Sequence, residues 1–296
     1  MFLQSKMEIE KSAERKKVTI NTLLRMKAEH KKAAYVTAYD FPSARRADRA
    51  GMDIVLVGDS MGMTVYGFDN TLQMNMDIMI PHADAVARGA KHSFVIGDMP
   101  YMSYQLSDLE AVLNASTFIR AGCSAVKCEG GKAVAPRIRA MHNAGILVQG
   151  HLGLTPQSTA ALGGYTIQAR TDDAISRLVG EAKAIEEAGA FSILLEAVPP
   201  EAGKKVSAEL KIPIYGIGAG PYVDGQLLIC HDLLGTYEGK LSGNIKIPKF
   251  AKKYAELGKL EEEAFRRYIE EVHSGEFPSS EHFYKMEEPE RPCSER

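Results

Sequence analysis

The chain has 296 residues, 45% of them hydrophobic and 25% charged, with a formal net charge of -2. That balance describes an ordinary globular protein with a large core, and it gives no electrostatic reason to expect a nucleic acid or an anionic membrane as partner. There is no uninterrupted apolar run of about eighteen residues and no apolar stretch of a signal peptide at the start, so a cytoplasmic protein is expected. Of the cysteines, Cys123, Cys128 and Cys230 lie in or beside apolar runs, and Cys293 does not; none shows a metal or disulfide spacing, so all are read as reduced.

Residues 1–17 read as a leader without order of its own, residues 18–284 as one domain, and residues 285–296 as a charged tail. Thr19 to about His30 has a capping residue followed by apolar residues at helical spacing, which predicts a helix that caps the fold. Lys32 to Tyr39 then reads as a strand ending in Asp40. A helix follows from Phe41 or Pro42 to Ala50-Gly51, and the apolar run Ile54–Val57 makes the next strand. That run has the character of a parallel strand buried on both faces.

A joint recurs: Arg49-Ala50-Gly51, Arg120-Ala121-Gly122, Asn143-Ala144-Gly145 and Glu187-Ala188-Gly189 each stand before an apolar, strand-like run. Glycine just past a helix can take the left-handed conformation that ends it. Repeated β-α units result, and Ser93–Gly97, Ile212–Ile217 and Leu227–Cys230 bring the candidate strands to eight. The expected architecture is a TIM (β/α)8 barrel with an N-terminal capping helix and appended C-terminal helices. Two segments interrupt the pattern. Met61 to Met79 reads either as a lid or as an extra hairpin packed by methionines, and the Gly- and Thr-rich His151 to Arg170 carries the same pair of readings. A helix is expected from Asp172 to Gly189. Beyond Leu234, Pro248 is expected to open a helix over Phe250–Leu257, and a second is expected over Glu261–Ser274.

The strand ends carry Asp40, Asp59 with Ser60, Asp98, Lys127 with Glu129, His151, Glu196, Gly218–Gly220, and His231 with Asp232. In a parallel barrel those ends converge where ligands bind. Asp59, Asp98 and Glu129 are hard oxygen donors that suit Mg²⁺ better than zinc, although each aspartate reads equally well as a helix N-cap. Lys127 and Glu129 point to the same side of their strand and are either site residues or a buried ion pair. Glu196 closes a very apolar run, a setting suited to a general base. His151 is a ligand, a proton donor or a satisfied core histidine. The glycine run at 216–220 suits either a phosphate cradle or a close backbone approach.

Taken together, Val57-Gly58-Asp59-Ser60, Gly97-Asp98-Met99-Pro100, Val126-Lys127-Cys128-Glu129-Gly130-Gly131, Gly150-His151-Leu152-Gly153-Leu154-Thr155-Pro156-Gln157-Ser158, Leu195-Glu196-Ala197-Val198-Pro199 and the glycine run resemble the ketopantoate hydroxymethyltransferase family, from about Val18 to Tyr284. The resemblance implies a (β/α)8 barrel that makes 2-dehydropantoate from 3-methyl-2-oxobutanoate and 5,10-methylenetetrahydrofolate, through a metal-stabilised enolate, on the route to pantothenate and coenzyme A. It implies Mg²⁺ held by Asp59, Asp98 and Glu129, the last through water if not directly. Ser60 and Lys127 would hold the substrate carboxylate, Glu196 would be the base, and His151 a hydrogen-bonding group on the substrate side. Met61 and Val198 are plausible apolar walls by position, and a homo-oligomer, commonly a decamer, is implied as well. Cys128, Ala169 and Pro221 depart from the family pattern, where a larger aliphatic, a glycine and a polar residue are usual. The alternative is an enzyme like phosphoenolpyruvate mutase and isocitrate lyase, which also binds oxo-acid enolates on Mg²⁺; the Lys-Lys-Cys-Gly-His motif of those lyases does not occur.

Overall fold

The computed structural model describes residues 15–237, 239 and 247–286. Eight parallel strands form a closed barrel: β1 (Ala33–Thr37), β2 (Ile54–Val57), β3 (Phe94–Asp98), β4 (Ala125–Glu129), β5 (Val148–Gly153), β6 (Ser192–Glu196), β7 (Ile214–Ile217) and β8 (Gly225–Leu228), with β8 returning to pair with β1. Side chains alternate across a strand, so each apolar run feeds two cores. Ile54, Leu56, Phe94, Ile96, Ala125, Leu194, Tyr215 and Ile217 pack inside the barrel. Val55, Val57, Val95, Val126, Cys128, Ile193 and Leu195 pack outward against the helices. The three cysteines within the described residues are free and buried.

The helices are α1 (Ile20–Ala28), α2 (Phe41–Ala50), α3 (Met61–Thr64), α4 (Met76–Gly89), α5 (Asp108–Arg120), α6 (Ala135–Asn143), α7 (Asp172–Glu187), α8 (Pro200–Glu209), α9 (Cys230–Leu234) and α10 (Leu257–Ser274). Among these, α1 closes one end of the barrel. Its Leu23 and Met26 join the interior cluster of Tyr35, Phe94 and Phe191, and each such side chain contributes roughly 1.5–3 kcal/mol by leaving water. The four joint glycines, Gly51, Gly122, Gly145 and Gly189, have φ of 97°, 100°, 79° and 103°. The left-handed turn inferred from the repeated joint is therefore what ends α2, α5, α6 and α7.

Three expectations change. Met61 to Met79 does not form a hairpin: α3, a single 3-10 turn at Thr71–Gln73 and the start of α4 divide it. The eighth strand begins at Gly225 and ends at Leu228, earlier than expected, and Cys230 opens α9 instead; a Cβ at Gly225 would lie 2.6 Å from the Ala33 carbonyl oxygen, so only glycine fits there beside β1. Phe250 to Glu256 is not helical. The Phe250 ring occupies the space where Gly218 has no side chain, and Tyr254 N donates to Leu233 O at 2.8 Å, so tertiary contacts hold this stretch as a strap across β7 and α9. One helix, α10, follows from Leu257. No helix among the described residues is long and apolar enough to cross a membrane.

The expected leader ends on the barrel. Arg15 donates to the backbone oxygens of Asp48 and Met52, while residues 1–14 and 287–296 lie outside the described residues. The Asp48 side chain, 5% exposed, accepts from Ser93 N at 2.7 Å, Ser93 Oγ at 2.9 Å, His92 N at 2.9 Å and His92 Nδ1 at 2.8 Å. Burial works against the carboxylate, but these donors outweigh it and hold its pKa below the ordinary 3.8. Asp48→Leu strands those donors and is expected to lower the unfolding free energy by about 1–3 kcal/mol in urea denaturation at neutral pH. Because the folded-state pKa is depressed, that contribution is complete above pH 3.8 and fades as pH falls below it, so the gap between variant and parent should narrow on acidification.

Candidate active site

The inward series of the strands change character along the barrel. On β3 the order is Phe94, Ile96, Asp98; on β4 it is Ala125, Lys127, Glu129; on β6 it is Ser192, Leu194, Glu196. Tyr35 OH donates to Gln149 Oε1 at 3.0 Å, and Gln149 Nε2 donates to Ser192 Oγ at 3.0 Å, forming a polar link across the interior between the apolar floor and the mouth.

Above it lies a buried charge cluster. Lys127 Nζ is 2.8 Å from Asp98 Oδ1, 3.4 Å from Glu129 Oε1 and 3.2 Å from His151 Nδ1. Its contact with Asp98 is off the hydrogen-bonding direction, which leaves Asp98 Oδ1 without a hydrogen bond; Asp98 Oδ2 accepts from Asp59 N at 3.1 Å. His151 bridges two carboxylates, with Nδ1 3.1 Å from Glu129 Oε1 and Nε2 3.3 Å from Glu196 Oε2, the second contact also lacking hydrogen-bond alignment. The Glu196 side chain keeps 16% exposure and faces an imidazole, so its surroundings are less apolar than the run before it suggests. Ser60 Oγ pairs with Tyr39 OH at 2.9 Å.

Electrostatics follow from this crowding. Burial, and then the neighbouring Asp98, push Asp59 well above the usual aspartate range, and burial raises Asp98 despite Lys127 beside it. Burial would raise Glu129 too, but Lys127 and His151 outweigh it and bring it to about 2. Burial and the Lys127 ammonium would lower His151, but Glu129 and Glu196 carry it up to about 9. Burial would likewise lower Lys127; Asp98, Glu129 and Asp59 raise it instead, so it remains an ammonium.

The aspartates are not helix caps. Ser60 occupies the cap position of α3, and the cap of α5 is Ser107. Asp40, by contrast, is one: its Oδ1 accepts from Ser43 N at 2.6 Å. The glycine run is explained by close packing, since a Cβ at Gly218 would meet the Phe250 ring at 2.4 Å and one at Gly220 would meet Pro200 at 2.7 Å. Met61 and Val198 are buried in the layer between strands and helices. His231 packs beside Tyr39 on α9.

The donor set fits a hard divalent cation. Asp59 and Asp98 lie together, burial pushes both upward in pKa so that a cation would relieve them, and Asp98 Oδ1 is buried without a hydrogen bond. Among the described residues no trio of His, Cys, Asp and Glu is arranged as a complete cage, and Mg²⁺ does not need one, because it retains waters and substrate oxygens beside one or two carboxylates. Both oxygens of Glu129 are engaged, Oε1 by Lys127 and His151 and Oε2 by Gln157 N at 2.9 Å. Neither oxygen is left free to meet a cation directly.

Gln157 was not singled out from the sequence. Its Nε2 donates to Asp59 Oδ2 and to Met99 O, both at 2.9 Å, and its Oε1 accepts from Tyr104 OH at 2.8 Å. Tyr104 OH in turn accepts from Glu129 N at 2.9 Å. Both residues are neutral and lie outside the strands; the one available signal was that Gln157 stands inside the Gly150–Ser158 motif.

Residues 17–280 match the family model described as ketopantoate hydroxymethyltransferase. The 3-methyl-2-oxobutanoate hydroxymethyltransferase of Syntrophobacter fumaroxidans is 49% identical over 92% of this chain and 94% of its own. That of Ignicoccus hospitalis is 47% identical over 91% and 100%. Among solved structures, a 2,3-dimethylmalate lyase of the PEP mutase/isocitrate lyase superfamily aligns with TM-score 0.56 and 17% identity over 90% of this chain and 89% of that one, a likeness of fold.

Lys127→Met removes the ammonium from among these carboxylates. Urea denaturation in EDTA near neutral pH is expected to show a loss of about 3–5 kcal/mol. A loss below about 1 kcal/mol would mean that the ammonium is not their counter-charge.

Proposed function

The chain belongs to the ketopantoate hydroxymethyltransferase family and is a 3-methyl-2-oxobutanoate hydroxymethyltransferase that uses methylenetetrahydrofolate; from that premise we propose how the barrel mouth performs the transfer. The observation that carries the reading is the convergence of the buried Asp59–Asp98 pair, Lys127 and the His151–Glu196 pair at one end of the barrel. The rival reading of a mutase- or lyase-like enzyme is left with the fold alone.

Asp59 and Asp98 would hold Mg²⁺, and Glu129 would complete the site through water. When bound, the cation draws electron density from the keto group of the 2-oxo acid and acidifies the neighbouring C3–H. Lys127 and the Ser60 hydroxyl hold the substrate carboxylate, with Lys127 also keeping positive charge fixed near the oxygen on which negative charge develops. Glu196 removes the C3 proton. His151, in its protonated form, gives its Nδ1–H to Glu129 and has its Nε2–H, beside Glu196 but not bonded to it, to donate on the substrate side. C3 then bonds to the one-carbon unit. Both carbon–nitrogen bonds to folate break, one water supplies the hydroxyl oxygen of the product, and the folate nitrogens recover their hydrogens.

A homo-oligomer, a decamer in line with the family resemblance, is supported by α10, on which Phe265, Tyr268, Ile269 and Val272 remain 66%, 55%, 49% and 43% exposed. Mass measurement in solution reads the number directly, and a monomer would remove this reading.

Deuterium exchange at C3 of 3-methyl-2-oxobutanoate, followed by NMR without folate, isolates the proton-transfer step. Exchange is expected with Mg²⁺ and not with EDTA. Glu196→Gln should lower the exchange rate by about 10²-fold or more while Mg²⁺-dependent binding of the oxo acid persists; equal loss of both would make Glu196 structural. Asp98→Asn should weaken Mg²⁺ and oxo-acid binding together, and an unchanged Mg²⁺ titration would remove Asp98 from the metal site.

A further inference from the structure

The charged cluster lies in the buried base of the mouth and matches a small oxo acid. Folate is larger and carries flat rings, so it must lie on the open side, where Glu196 retains its exposure. One loop is built to meet it there. Residues 158–167, between β5 and α7, are anchored at both ends to the catalytic groups. Before the loop, Gln157 donates from its backbone to Glu129 and from its side chain to Asp59. After it, Gln168 N donates to the carbonyl of Ala197, the residue next to Glu196, at 2.9 Å.

Between these anchors the chain turns at Gly163 and Gly164, with φ of 73° and 106° and nothing within 4 Å of a Cβ built on either. Tyr165 follows, its side chain reaching across the mouth until the hydroxyl lies 3.8 Å from Met63 Sδ on α3. Thioether sulfur is a weak acceptor, so this contact does little to explain a tyrosine at the position. Its residue remains 53% exposed, with Ile167 on the same loop 60% exposed and Val65 and Tyr66 on the facing segment 48% and 42% exposed. Burial, and then the Asp59, Glu196 and Glu129 carboxylates, push the phenol up to about 12. A half-exposed aromatic ring, carried on a loop tied at both ends to the catalytic groups and meeting Met63 across the mouth, suits stacking against a flat ring.

We propose that Tyr165 is the stacking platform for the ring system of the folate cosubstrate, held over the mouth by a loop tied to Asp59, Glu129 and Ala197. This rests on the transferase reading and adds the position of the second substrate. The platform acts through the ring face, not the hydroxyl.

The test separates the two substrates. Aromatic stacking of this kind is worth about 1–3 kcal/mol, so Tyr165→Ala is expected to raise KM for methylenetetrahydrofolate roughly 5- to 150-fold. Folate-independent C3 deuterium exchange should fall by less than about 2-fold, because the base and metal site do not use the ring. Tyr165→Phe, which keeps the ring, should hold the folate KM within about 3-fold of the parent. An unchanged folate KM in Tyr165→Ala overturns the proposal, as does an equal loss of exchange and folate use, which would make Tyr165 a structural support of the mouth. A Tyr165→Phe variant as impaired as Tyr165→Ala overturns it too, by assigning the role to the hydroxyl. Parent enzyme that neither exchanges C3 with Mg²⁺ nor turns over with folate fails at the transferase reading itself, a result distinct from all of these.

Discussion

The structure turns on a single buried ammonium. Lys127 stands among Asp98, Glu129 and His151 with almost no access to water, and Asp59 also feels its charge. Moving so many ionisable groups out of water is costly unless they compensate one another. The compensation is uneven: Lys127 and His151 hold Glu129 low enough to stay ionised, while burial pushes Asp59 and Asp98 upward, toward their protonated forms. The neutral residues around the cluster act as its frame. Gln157 and Tyr104 hold Asp59 and Glu129 in place without adding charge, and the same Gln157 begins the loop that crosses the mouth.

Much of this was legible in the sequence because barrel strands have a period of two and a single direction. Lys127 and Glu129, two positions apart, had to share a face, and strand ends in a parallel barrel had to meet. The joint glycines were legible for a similar reason, since a helix that ends three or four residues before a buried strand needs the left-handed turn they supply. Even a departure from the family pattern carried structural information. Ala169, where the resemblance leads one to expect a glycine, adopts φ of 53°, a left-handed conformation that a side chain tolerates with some strain.

What escaped the sequence depends on contacts between distant segments. Phe250 to Glu256 has a helical look after Pro248, but Gly218 leaves a slot that the Phe250 ring fills, and Leu233 offers the carbonyl that Tyr254 takes. Neither partner is visible from the local pattern. Gln157, Tyr104 and Tyr39 escaped for another reason: an uncharged side chain shows its function only through what it touches, and all three touch residues far away in the chain. Glu196 also read differently in three dimensions, because the side chain that faces it comes from β5 and not from its own apolar strand.

The alternation of side chains within β4 has an evolutionary consequence. Removing one residue ahead of Val126 would carry Lys127 and Glu129 to the helix side of the wall and bring Val126 and Cys128 to the lumen, inverting the polarity of both layers at once. Strands such as this one can be inherited with changed letters but not with changed length. Insertions and deletions in descendants of this chain must collect in the connecting segments, and the mouth loop between β5 and α7, tied at its two ends and open at its turn, is where new length, and with it new substrate preference, can be admitted without disturbing the charges beneath.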